Sequence, residues 1–252
     1  MASKERYENK MKIFRENSYE DVSKRAADII AAQVIISPGC VLGLATGSSP
    51  IGAYKKLIEM NKLGEIDFSH VKTANLDEYI GLKNDNVNSY HYFMNDNLFN
   101  HININKENTH VPDGYLAASD PDKACLNYDH LIKSLGQIDL QLLGIGQNGH
   151  IGFNEPSDAF SLGTHVVSLT ESTINANARL FDDISEVPTK AITMGIKNIM
   201  QAKKVLLIAC GKEKAEAIQK AIHGPVSPDV PASILQLHPD LTIITDHEAI
   251  TQ

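Results

Sequence analysis

The 252-residue sequence has no tryptophan and only three cysteines, Cys40, Cys125 and Cys210. Their number is odd, their spacing is wide and no C-x-x-C occurs, which argues against a disulfide framework or a thiolate metal site. Reduced thiols in a cytoplasmic protein are the expectation. Long apolar runs are missing too. The longest, Val205–Cys210, is far short of the roughly 20 residues of a membrane helix. Residues 1–10 are polar and charged and lack the apolar centre of a secretory signal. They are expected to extend from a single domain of residues 11–252. There is no basic excess: 23 Lys and Arg stand against 31 Asp and Glu, a net charge of −8. Neither a nucleic-acid nor a membrane partner is therefore expected. Glycine (16) and proline (10) are present at ordinary levels, which excludes collagen-like and disordered classes.

What is present is alternation. Strand-like apolar runs at Met11–Phe14, Val41–Ala45, Val71–Leu76, Ile138–Ile145, Val205–Cys210 and Leu241–Thr245 are separated by segments of helical period. That order predicts an α/β fold, a Rossmann-like and mainly parallel sheet with helices on both faces. Ser18, with Asp21 three residues on, reads as a capping box opening a helix whose buried stripe is Val22, Ala26, Ile29 and Ile30. Ser49-Pro50 reads as a cap followed by a first-turn proline, predicting a helix from Pro50 to about Asn61 that closes at Gly64. Further helices are expected over Ser89–Phe99, Pro121–Leu135, Leu169–Phe181 and Lys212–Ile222. His101–Tyr115, Pro156–Thr164 and His223–Pro231 read as loops.

In such sheets ligands bind beyond the carboxyl ends of the strands. Three of those ends carry unusual sequence. The first, Gly43–Pro50 (GLATGSSP), combines a small-residue turn with a helix start. Gly47 can take a positive φ, Thr46, Ser48 and Ser49 offer hydroxyls, and the helix amides favour an anion. Neither G-K-[ST] nor G-x-G-x-x-G is present, so a phosphate rather than a nucleotide is indicated; an ordinary βα turn is the alternative. In the second, NLDEY, Asp77-Glu78 follows a buried strand, where burial would raise a carboxylate toward the range of a general base. The alternative is a helix-capping or solvated acid. The third, GIGQNGHIGFNEP, packs Gly144, Gly146, Gly149 and Gly152 into nine positions around Asn148 and His150, with Glu155 close behind. A Glu–His pair on a glycine-rich turn suits proton transfer. It supplies only two ligands, so a metal is not expected. Arg179 and Lys214 are candidate phosphate cations, the first by a bidentate fork and the second as a point charge; each also reads as a solvated surface group.

Together, LGLATGSSPIGAYKKL, NLDEYIGL, SYHYFMNDNLF, LLGIGQNGHIGFNEP, LTESTINANARLF and LQLHP resemble the glucosamine-6-phosphate deaminase (glucosamine-6-phosphate isomerase) family over essentially the whole domain. The resemblance implies a Rossmann-like fold, no metal or organic cofactor, and conversion of D-glucosamine 6-phosphate and water to D-fructose 6-phosphate and ammonia. It implies that Asp77 moves the C2 proton, that His150 opens the sugar ring, and that Glu155 supports His150. Asn148 occupies a position where many members have aspartate; it can orient the histidine but bears no charge. Thr46, Gly47, Ser48, Ser49, Arg179 and Lys214 fall on the implied phosphate grip.

Some members are effector-activated hexamers. His165 and Val167 replace their basic effector residues, and the chain stops soon after its last strand, so that activation is expected to be absent here. A homo-oligomer remains compatible with the sequence. Two rivals stay open: a 6-phosphogluconolactonase-like hydrolase, whose G-H turn continues differently, and a non-catalytic sugar-phosphate-sensing module.

Overall fold

The computed structural model describes residues 11–178, 183 and 187–250. Residues 1–10 and Arg179 therefore lie outside the described residues. A seven-stranded parallel sheet is built from β1 (Lys12–Glu16), β2 (Val41–Leu44), β3 (Lys72–Asn75), β5 (Thr109–His110), β6 (Leu140–Leu143), β9 (Val205–Ala209) and β10 (Leu241–Asp246), in spatial order β1-β10-β9-β6-β2-β3-β5. The strands β2, β6 and β9 are buried at every position, as expected for strands covered on both faces. A smaller antiparallel sheet joins β4 (Asp77–Tyr79), β7 (His165–Ser168) and β8 (Lys190–Thr193) in the order β4-β8-β7.

The helices are α1 (Tyr19–Ile36), α2 (Ile51–Lys62), α3 (Tyr90–Met94), α4 (Gly114–Ser119), α5 (Pro121–Leu135), α6 (Glu171–Asn177), α7 (Ile196–Met200) and α8 (Ala215–His223). The Ser18 cap forms as expected: its side chain accepts the Asp21 amide at 3.1 Å and donates to the Asp21 carboxylate at 2.9 Å. Gly64 closes α2 at φ +74°, with the Glu65 amide reaching back to the Met60 carbonyl, the six-to-one bond of a Schellman ending. The Asp120 side chain caps α5, whose first residue is Pro121.

Four expectations are corrected. Ser49 does not cap α2; the helix starts after Pro50 without any side-chain cap. Instead the Tyr19 hydroxyl, from the start of α1, accepts the Gly52 amide at 2.8 Å. The Ser89–Phe99 helix divides into α3 and a π-turn at Asn95–Phe99. There the side-chain amides of Asn95 and Asn97 bond the carbonyls of His91 and Phe93 and compete with the regular ladder. His101–Tyr115 is not all loop, since it contains the edge strand β5 and the first residues of α4. Lys212–Lys214 forms a 3-10 turn before α8. The strands β7 and β8 were not anticipated at all.

Strand order reverses between β2 and β6. The chain runs outward from β2 through β3 to β5, then returns to lay β6 on the other side. Such a switch point opens a crevice at the strand ends. Two of the three unusual segments, after β2 and after β6, flank it directly.

Candidate active site

The turn after β2 carries Gly47 at φ +88°, a left-handed conformation that costs a side-chain-bearing residue. The Tyr19 hydroxyl braces this turn, donating to the Ser48 carbonyl at 3.0 Å while accepting the Gly52 amide. Tyr54 fixes its base by donating to the Ala45 carbonyl at 2.6 Å. Tyr19→Phe removes the brace without touching the cavity. We expect KM for a phosphosugar to rise about 3–10-fold with kcat nearly unchanged, the cost of one or two ordinary hydrogen bonds. Steady-state kinetics with varied substrate would show it.

The second segment changes sheets. At Leu76 the chain leaves β3; its carbonyl accepts the Met194 amide, and Asp77 pairs with Thr193 in the small sheet. Asp77 and Glu78 are both buried but do different work. The Glu78 carboxylate accepts the amides of Tyr79 and Tyr90 at 2.8 Å and His91 at 2.9 Å. It is the anchor for the start of α3. Burial still pushes it up, to about 7, against those three donors. Asp77 is the carboxyl that opens onto the cavity. Burial, and then the neighbouring Glu78 charge, pushes it up to about 8. A capping role, the sequence's alternative for this pair, belongs to Glu78.

The third segment turns tightly on Gly149 (φ +86°) and Gly152 (φ +57°). The Gly146 amide bonds the His150 carbonyl at 2.9 Å. The His150 Nδ1 lies 3.3 Å from Glu155 Oε2. Asn148 Nδ2 donates to that same oxygen at 2.6 Å, and its own carbonyl accepts the His150 amide at 3.2 Å. Asn148 therefore steadies the histidine's backbone and its carboxylate partner, not the imidazole itself. Burial pushes Glu155 up, but hydrogen bonds from His150, Thr173 and Asn148 and the His150 charge hold it below the usual carboxylate range. It stands as an anion beside the ring.

These groups face one cavity of about 220 Å³. Thr46, Gly47, Ser48 and Ser49, Asp77, Asn148 and His150, and Lys214 from the turn before α8 all line it. Glu155 lies behind His150 rather than on the wall. Lys214 is half-buried, and burial lowers its pKa. Among the described residues no carboxylate lies within ion-pair distance of its ammonium. The neighbouring Glu213 charge works against that lowering. No cluster of three metal-ligating side chains occurs among the described residues.

Sequence reasoning missed Tyr90. Its ring lines the cavity and stacks on Phe153 at 5.9 Å, and its hydroxyl lies 3.4 Å from that of Tyr79. The segment SYHYFMNDNLF holds it, but one tyrosine among several at helical spacing gave no reason to select it. Thr173 was missed for the same reason.

A family model described as glucosamine-6-phosphate isomerases/6-phosphogluconolactonase matches residues 15–243. The glucosamine-6-phosphate deaminase of Lachnoclostridium phytofermentans is 67% identical over 234 residues, covering 93% of this chain and 98% of that one. That of Thermoanaerobacter pseudethanolicus is 59% identical over 239 residues, covering 95% and 94%. A solved structure of a monomeric glucosamine-6-phosphate deaminase superposes with a TM-score of 0.92 at 48% identity, covering 95% and 98%. The 6-phosphogluconolactonase of Thermotoga maritima superposes with a TM-score of 0.73 at 20% identity, covering 94% and 100%. That last likeness is one of fold.

Proposed function

The chain belongs to the family of glucosamine-6-phosphate isomerases and 6-phosphogluconolactonases and acts as a glucosamine-6-phosphate deaminase, and we propose that Asp77, His150 and Glu155 carry its chemistry while the Thr46–Ser49 turn and Lys214 hold the phosphate. The observation that carries this reading is the shared cavity: one accessible carboxyl and one Glu-backed imidazole on the same walls as an anion-binding turn.

The steps balance as follows. His150 moves a proton from the anomeric hydroxyl to the ring oxygen, which opens the pyranose to an aldehyde. Asp77 takes the C2 proton and returns it to C1, while a proton passes from the nitrogen to O1, so the aldose amine becomes a ketose imine with a C1 hydroxyl. Water adds at C2 and ammonia leaves, giving fructose 6-phosphate. Each proton transfer by a placed group typically contributes about 10²–10⁴-fold. The phosphate, remote from the reacting carbons, supplies orientation. Glu155 stays ionised and balances the imidazolium charge as it forms.

A buried carboxyl near 8 is protonated in the empty cavity at neutral pH. The substrate's amino group, as an ammonium, would favour its ionised form. Arg179, eight residues beyond the start of α6, is assigned to the phosphate grip by the family pattern alone. Burial pushes the thiols of Cys40 and Cys210 up to about 12, where they are inert. No described helix is long and apolar enough to cross a membrane. The cytoplasm, where sugar phosphates and reduced thiols occur together, is the compartment this reading implies.

Purified protein given glucosamine 6-phosphate should release ammonia and fructose 6-phosphate one for one, and should leave 6-phosphogluconolactone untouched. Lactone hydrolysis without ammonia release would replace this reading with the other branch of the family.

A further inference from the structure

Glu155 is held from two directions. On the turn side, Asn148 and His150 share its Oε2. On the opposite side, its Oε1 accepts the hydroxyl of Thr173 at 2.6 Å, in a buried contact between residues 18 apart in sequence. Thr173 comes from α6, and it also lines the cavity. It is itself fixed by Thr170, whose hydroxyl lies 3.0 Å away and accepts the Thr173 amide at the start of α6.

We infer that Thr173 is a positioning residue, through which α6 sets the orientation of Glu155 and thereby of the His150 ring. A carboxylate bonded at one oxygen alone can rotate about its terminal torsion, which is broad in energy. Bonding both oxygens from two separate elements removes that freedom. The hydroxyl can only donate to an anion here, so it also selects the ionised form of Glu155. The inference rests on the assignment of Glu155 and His150 as the acid–base pair.

The groups that bear on Glu155 are few. His150, Asp77, Tyr90 and Lys214 line the reaction cavity, and His165 shares with Glu155 the wall of a second cavity of about 290 Å³. Neither Asp77 nor Lys214 is bonded to Glu155, so loss of the Thr173 donor acts on Glu155 directly.

The test uses Thr173→Val, which keeps the branched shape, Thr173→Ala, and Thr173→Ser, which keeps the donor. The Val and Ala variants should both lose kcat about 10–100-fold, the cost of a charge-assisted hydrogen bond, with KM for glucosamine 6-phosphate within about threefold of wild type. Their kcat/KM profile should fall off at higher pH than wild type on its acid side, because Glu155 loses a donor to its anion. Thr173→Ser should restore both kcat and the profile. Wild-type kcat and an unshifted acid limb in either hydroxyl-free variant would overturn the inference, and so would a Ser variant as slow as Val. His150→Gln, measured alongside, separates the two failures. If His150→Gln is inactive while Thr173→Val is normal, the positioning role is wrong. If His150→Gln is fully active, the acid–base assignment beneath it is wrong.

Discussion

Asp77→Asn should abolish deamination and make the folded chain more stable at neutral pH. The first effect follows from the chemistry. Asparagine cannot accept the C2 proton, and no second described carboxyl opens onto the cavity, because Glu78 is committed to the amides of α3. Turnover should fall by at least about 10³-fold, at the upper end of what a general base contributes. Binding of an acyclic phosphosugar analogue should survive within a fewfold. The second effect follows from burial. The ordinary value for this carboxyl is 3.8, and in the folded chain it stands at about 8. Below pH 4 both folded and unfolded forms are protonated and nothing is lost. As pH rises from about 4 to 8 the unfolded chain releases a proton that the folded chain retains, so stability declines through that window. Asparagine removes this decline. We expect a gain on the order of 1–3 kcal/mol at pH 8, or roughly 3–8 °C in Tm for a chain of this size. The gain should shrink toward zero near pH 4. Thermal melts of both proteins across pH 4–8 would show it. A constant gap at all pH values would mean that Asp77 is not the strained group.

Gly146→Ala should silence the enzyme by a different route. A Cβ placed on Gly146 would lie 2.4 Å from Cε1, 2.5 Å from Nε2 and 2.6 Å from Nδ1 of His150. Those distances are well inside contact, and the neighbour struck is the imidazole, not the backbone. The backbone of Gly146 is not in the left-handed region, so alanine costs little conformationally. The ring must swing away from Glu155 and from its place over the cavity. A displacement of about 1 Å at a reacting group costs about 10²-fold. We expect kcat to fall about 10²–10³-fold, with the melting temperature changed by only a few degrees. Retention of wild-type kcat would show that His150 does not act from the position seen here. The contrast between the two variants is informative: one removes a proton acceptor and the other only moves a ring.

Much of this was legible in the sequence, for identifiable reasons. Buried parallel strands announce themselves as continuous apolar runs, so β2, β6 and β9 were plain. The glycine cluster around His150 is costly in any ordinary turn, and that cost marked it as a site. Asp77 stood out because an acid directly after a buried strand is uncommon. What was not legible depends on contacts distant in sequence. Nothing local in Ser49-Pro50 reveals that Tyr19 braces the turn in place of a serine cap. β7 and β8 are short and only partly apolar, and they exist because they pair with each other and with Asp77–Tyr79. The division of labour between Asp77 and Glu78 needed coordinates, since adjacent carboxylates look alike until the amides of α3 are seen to choose one. Asn148 was expected to orient the histidine; that it bonds the His150 amide and Glu155 rather than the ring is a detail set by the turn's geometry. Thr173, eighteen residues from Glu155, carries no mark in sequence.

The central claim is that one cavity holds the phosphate at one end and the reacting carbons at the other. A crystal structure with an acyclic amino-sugar phosphate bound tests it most directly. The account predicts the phosphate on the Thr46–Ser49 turn beside Lys214, with C1 and C2 about 3–3.5 Å from the Asp77 carboxyl, the separation from which a proton can be taken. A phosphate seated elsewhere, or carbons out of reach of Asp77, would contradict it.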